Sequence, residues 1–131
     1  MKIGIRLSSE ALNGIAELKD FYNENNFMDG LKITNGATIG IALMEIKHKA
    51  PLNKYDWESI IYGNKFLGIN NKAEKSSIRT SLTLDEDVIS DINELKTIFP
   101  HFTKTKYVTT SYVIRIIVRA ALNQNNLIKK V

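Results

Sequence analysis

The 131-residue chain has no cysteine, two prolines, two histidines and one tryptophan. Without a thiol there is no disulfide, no cysteine nucleophile and no thiolate metal site, so the fold must be held by apolar packing alone. His48 and His101 have no neighbours at ligand spacing and are assigned no role, and neither a metal nor any other cofactor is expected. No segment approaches the roughly 20 consecutive apolar residues of a membrane helix, and the opening MKIGIRLSSE lacks the apolar stretch of a signal peptide. A cytoplasmic protein without membrane contact is the expectation. There is also no Gly-rich phosphate loop and no nucleophile system, so no enzymatic activity is expected. Acid is absent from one region. After Glu94 come Lys96, Lys104, Lys106, Arg115, Arg119, Lys129 and Lys130 without a single Asp or Glu, although the whole chain carries only +4. Such a field favours an anionic partner.

What is present, 44% hydrophobic and 24% charged residues, suits one ordinary domain. That domain contains an internal repeat. Shifted by 77 residues, KIGIRLSSEALNGIAELKDFY from Lys2 lies over RTSLTLDEDVISDINELKTIF from Arg79, with identities at Leu7/Leu84, Ile15/Ile92, Glu17/Glu94, Leu18/Leu95 and Lys19/Lys96. With the shift reduced by two, TNGATIGIALMEI from Thr34 lies over TTSYVIRIIVRAA from Thr109. Three successive elements therefore match in order.

Each copy opens with strict alternation, Ile3, Ile5 and Leu7 in one and Leu82 and Leu84 in the other, which predicts strands over residues 2–7 and 79–84 with one buried face. Ser8 and Asp85 stand where an N-cap belongs, and Glu10, Glu86 and Asp87 complement the positive end of the helix that follows. Helix-start chemistry accounts for the cluster Asp85, Glu86 and Asp87 better than a metal does. Ala11, Ile15, Leu18 and Tyr22, like Val88, Ile92, Leu95 and Phe99, form one stripe. Asn23, Asn25 and Asn26 end the first of these helices and Pro100 the second. A further helix follows each, capped by Thr34 and Thr109, with Ile39, Ala42, Leu43 and Ile46, or Val113, Ile114, Ile117, Val118 and Ala121, on its buried face. Gly14, Gly36 and Gly40 are poor helix formers, so the first copy reads more weakly.

The organisation is then a first copy over residues 1–47, a partly helical connector over 48–77 and a second copy over 78–131. In the connector, Asn53 as a cap and Gly63 as a stop predict a short helix over KYDWESIIY, burying Trp57, Ile60, Ile61 and, beyond it, Phe66; residues 70–77 read as its most flexible part. Core packing suits Trp57 and Tyr55 better than stacking on bases.

A copy of about 45 residues cannot bury enough apolar area to stand alone, and a single strand has no ladder partner. Pairing the two strands antiparallel cures both defects. The fold expected is mainly α with a short two-stranded antiparallel β-ribbon, the two copies forming one unit. The outer face of the ribbon would carry Lys2, Gly4, Arg6, Arg79, Ser81 and Thr83. A two-stranded ribbon fits the major groove of B-DNA, where arginine suits guanine and hydroxyls suit several bases. Arginine on an exposed strand is ordinarily just solvated, and serine and threonine also follow β-propensity; it is the repeat that favours base contact for this face. Lys104, Lys106, Arg115 and Arg119 divide between phosphate contact and plain solubility, with Lys104 and Lys106 assigned to phosphate.

The pattern KIGIRLSSEAL and RTSLTLDEDVI, each followed by an amphipathic helix and then by a capped helix such as TTSYVIRIIVRAAL, resembles the ribbon-helix-helix DNA-binding proteins of the MetJ and Arc type. The resemblance implies that the alternate strand residues Lys2, Gly4, Arg6, Arg79, Ser81 and Thr83 read bases. It also implies that the amides opening the last helix of each copy, at Thr34, Asn35 and Gly36 and at Thr109, Thr110 and Ser111, clamp backbone phosphates. This chain departs from the family in forming the unit alone rather than from two identical chains, and Gly4 offers no side chain. The tandem arrangement resembles the TraY-type accessory proteins of conjugative plasmids. That implies a relaxosome role at a transfer origin, with double-stranded DNA, a relaxase or other plasmid-transfer protein and adjacent copies on DNA as partners; a transcriptional repressor or autoregulator of a plasmid or mobile element is the alternative. From another class, a non-enzymatic protein-interaction module remains open.

Overall fold

Seven residues of alternating character on each side build the only sheet among the described residues. The computed structural model describes residues 1–63 and 77–128. In chain order the elements are β1 (Lys2–Ser8), α1 (Ser9–Glu24), α2 (Asn35–Lys49), α3 (Trp57–Tyr62), β2 (Ser77–Thr83), α4 (Glu86–Ile98), α5 (Pro100–Thr103) and α6 (Thr110–Gln124). The molecule is mainly helical, with β1 and β2 pairing antiparallel. The register sets Lys2 opposite Thr83, Gly4 opposite Ser81 and Arg6 opposite Arg79. The middle of these three pairs, Gly4 and Ser81, is the pair that the 77-residue shift superposes. The repeat and this face of the ribbon thus share one centre. Met1 extends the ladder by exchanging two backbone hydrogen bonds with Leu84.

The inner face of this ribbon buries Leu7 and Leu82, whereas Ile3, Ile5 and Thr80 are only half-buried. Ser8 turns the chain into α1 by accepting a hydrogen bond from the Ala11 amide at 3.2 Å. Asp85 occupies the same place before α4 without a side-chain bond of that kind. The expected stripes of both helices are buried in full: Ala11, Ile15, Leu18 and Tyr22, and Val88, Ile92, Leu95 and Phe99. Each such aliphatic or aromatic side chain stabilises by about 1.5–3 kcal/mol on burial. Thr34 and Thr109 cap α2 and α6 through the amides of Ala37 and Tyr112, at 3.0 and 3.1 Å.

α6 is the axis of the core. It packs against α1, α2, α3 and α4 and under β1, which is why its residues from Val113 to Leu122 are buried almost all round. The weak helix formers of the first copy have a packing reason: at Gly14 a Cβ would collide with Val118 of α6, and at Gly36 it would collide with the Thr83 carbonyl of β2. Backbone approaches that only glycine permits have been taken in exchange for helix propensity.

Helix ends follow the asparagines. Asn25 after α1 and Asn125 after α6 each return a side-chain amide to a carbonyl of the last turn, Phe21 and Ala121, and the next residues, Asn26 and Asn126, are left-handed with φ 55 and 59. Pro100 ends α4 and opens the single turn of α5. In the connector, Trp57 is fully buried, donates from Nε1 to the Leu52 carbonyl at 2.7 Å and meets the Phe99 ring edge-on at 5.0 Å. Core packing is thus the role of Trp57 and Tyr55. The cap of α3 is Asp56, whose carboxylate accepts from the Ser59 amide, and not Asn53 as expected. Asn53 lies instead in the turn that folds the amides of Lys54 and Tyr55 back onto the Pro51 carbonyl. Gly63 stops α3 as anticipated. The expectations for Phe66, for the flexible stretch over residues 70–76 and for Lys129 and Lys130 fall outside the described residues.

Candidate nucleic-acid interface

All six alternate strand residues, Lys2, Gly4, Arg6, Arg79, Ser81 and Thr83, are exposed, and the register brings them together as three cross-strand pairs on one face. At about 3.3 Å per residue this face is about 13 Å long, comparable with a major groove about 12 Å wide. Arg6 stands directly opposite Arg79. Like charges so placed repel each other and destabilise a ribbon, and an anion at that end would relieve the repulsion. The Arg79 guanidinium leans back across the middle pair, its Nη2 3.4 Å from where a Cβ on Gly4 would stand. Gly4 therefore contributes a hollow that receives Arg79, in place of a side-chain donor of its own.

Two helix starts flank the ribbon, each against the opposite strand. Ser111 in the first turn of α6 donates its hydroxyl to the Arg6 carbonyl of β1 at 2.6 Å. Gly36 in the first turn of α2 is buried against the Thr83 carbonyl of β2. The shifts that align the copies exchange these two contacts: 36 maps onto 111 and 83 onto 6. At both ends the threonine hydroxyl is engaged in capping, Gly36 has no side chain and Ser111 points inward. What Thr34, Asn35 and Gly36, or Thr109, Thr110 and Ser111, have to offer an anion is the group of first-turn amides that have no partner inside a helix, together with the positive end of the dipole.

Lys104 and Lys106 are exposed on the loop between α5 and α6, Lys104 in a left-handed conformation with φ 59. Asp29, which the 75-residue shift places under Lys104, is left-handed as well, with φ 48. Next to Lys106 the ring of Tyr107 is 76% exposed, a residue that sequence reasoning missed. Its signal was the interleaving of lysine and aromatic in KTKY.

Arg119 does not belong to this surface. It is 1% exposed, and its guanidinium holds Glu10 from two nitrogens, Nε and Nη2, each at 3.0 Å, while Nη1 donates to the carbonyl of Ile60 at 3.2 Å. Arg115 also approaches Glu10, Nε to Oε1 at 3.8 Å, and lies over the Tyr112 ring. The sequence reading of these two arginines as phosphate contacts or solubilising charge is therefore corrected: both are drawn to a carboxylate 105 or more positions earlier, and of the described lysines and arginines after Glu94 only Lys104 and Lys106 are exposed, Lys96 being half-buried. Burial raises the pKa of the Tyr112 phenol, which the nearby Arg115 and Arg119 charges partly oppose.

Among the described residues no three Asp, Glu or His side chains converge as a metal site, and no helix is long and apolar enough to cross a membrane. Compared with protein families, curated proteins and solved structures, the chain matches none of them.

Proposed function

We propose that the chain is a sequence-specific double-stranded DNA-binding protein of the tandem ribbon-helix-helix type, in which the two copies act as a pseudo-dimer. The observation that carries this reading is the coincidence of two symmetries. The three outward pairs centred on Gly4 and Ser81 and the contacts Ser111 to Arg6 and Gly36 to Thr83 obey the same shifts that align the copies in sequence. In this reading the ribbon enters the major groove, Arg6 and Arg79 meet guanine edges, Ser81, Thr83 and Lys2 complete the base contacts, and the starts of α2 and α6 hold the phosphates on either side. Lys104 and Lys106 add phosphate contacts at the α6 end. By the TraY-like tandem arrangement, the role proposed is that of a plasmid transfer-origin accessory factor acting with a relaxase.

Selection of bound sites from random duplexes, followed by titration at several salt concentrations, tests the reading. Arg79→Ala should cost about 1–3 kcal/mol on the selected site and relax one base position, whereas Lys106→Ala should weaken all sequences alike and flatten the salt dependence. Equal loss on selected and random duplexes in both variants would exclude the ribbon as the reading element. A winning site beside a nick site fits the accessory role, and one beside a promoter would replace it with a repressor.

A further inference from the structure

α3 seats against one flank of α6, where Arg119 joins the α3 carbonyls of Ile60 and Ile61 to the Glu10 carboxylate. The sequence shifts place a second flank of the same kind on α2: Met44 falls at the position of Arg119, Gly40 at that of Arg115, and Asp87 of α4 at that of Glu10. No described helix covers this second flank, which Met28 of the loop before α2 lines on one side. Between α2 and α4 lies a groove of about 570 Å³ with Gly40, Ile41, Met44 and Val88 among its lining. Met44 is 67% exposed. On the rim, Asp91 holds Lys47 at 2.7 Å, while Asp85 and Asp87 meet no cation among the described residues. The covered flank shows what fills such a groove: a short amphipathic helix over an arginine-bridged carboxylate. In the open one the carboxylate is present and the arginine is missing, so the cation has to arrive with the occupant.

We propose that the α2–α4 groove docks a basic amphipathic helix of a partner protein, apolar residues over Met44 and an arginine or lysine on Asp87. Two features choose this occupant. The uncompensated carboxylates of Asp85 and Asp87 favour a basic occupant and repel α3 from a second copy of this chain, whose Asp56 and Glu58 are themselves acidic. Met44, exposed in the lining, is a flexible side chain that adapts its shape to an entering apolar stripe. Helix-in-groove docking of this kind is read by residues at i, i+3, i+4 and i+7.

The test uses the full chain without DNA, so its failure and failure of the DNA reading are separate results. The probe is a phage-displayed library of 15-residue amphipathic helices with randomised charged positions. Enriched clones should carry an apolar stripe with arginine or lysine beside it. As synthetic peptides they should lose at least tenfold in affinity to Met44→Asp and to Asp87→Asn, while the acidic counterpart peptides do not bind. Both positions are exposed, so thermal unfolding should show Met44→Asp little changed and Asp87→Asn lowered only by the loss of one first-turn charge. No enrichment, enrichment of acidic or uncharged clones, or binding indifferent to both substitutions overturns the proposal. So does light scattering that shows a dimer abolished by Met44→Asp, which would give the groove to a second copy.

Discussion

Removing the guanidinium of Arg119 would leave Glu10 beside the core with only the more distant Arg115, at 3.8 Å, to answer its charge, a change that costs up to about 3–5 kcal/mol when a buried pair loses one member. Arg119→Ala should lower the urea midpoint accordingly, and Glu10→Ala in the same background should recover part of the loss. The sequence offered no means of pairing these two residues, because they lie 109 positions apart and an arginine four residues after another reads equally well as a solvent face. A second buried polar contact has a pH signature. The Tyr22 phenol donates to Glu45 at 2.6 Å, and burial first, then that bond and the Glu45 charge, push its pKa well above the usual 10.0. Because the folded value exceeds the unfolded one, this contribution is complete below about pH 10 and is lost as the solution becomes more alkaline. Between pH 9 and 11 the Tm should therefore fall more steeply for the parent than for Tyr22→Phe.

Within single elements the glycines separate into two kinds. Gly36→Ala forces a methyl into the Thr83 carbonyl and should destabilise by about 1–3 kcal/mol through displacement of α2 from β2, seen as a lower Tm. Gly40→Ala places its methyl 3.4 Å from Val88, an ordinary contact, and should leave stability unchanged or raise it by up to about 1 kcal/mol through helix propensity. Glycine in a helical pattern says only that propensity is low; which of two glycines four residues apart touches another strand depends on the tertiary fold. The strands, the first-turn threonines and the four apolar stripes were legible because each is a short-range period that burial then obeys. The cap of α3 was not, since Asn53 and Asp56 are both capping residues three apart and the turn on the Pro51 carbonyl decides between them. Nor was the reach of α6, which is buried beyond one stripe because four helices surround it.

For the whole molecule, strand pairing within one chain makes folding unimolecular. The urea midpoint should be the same at 1 and at 100 μM protein, whereas an assembly whose strands pair between chains would gain stability with concentration. A shift across that range would contradict the intrachain ribbon. Continuity of the chain has one further consequence. In a unit built from two identical polypeptides every substitution is made twice, at symmetric places, and must suit both. Here the Arg6 end of the ribbon and the Thr83 end are written by different codons, and a mutation changes one without the other. Each end of the ribbon is free to drift by itself, which leaves the molecule with a left and a right.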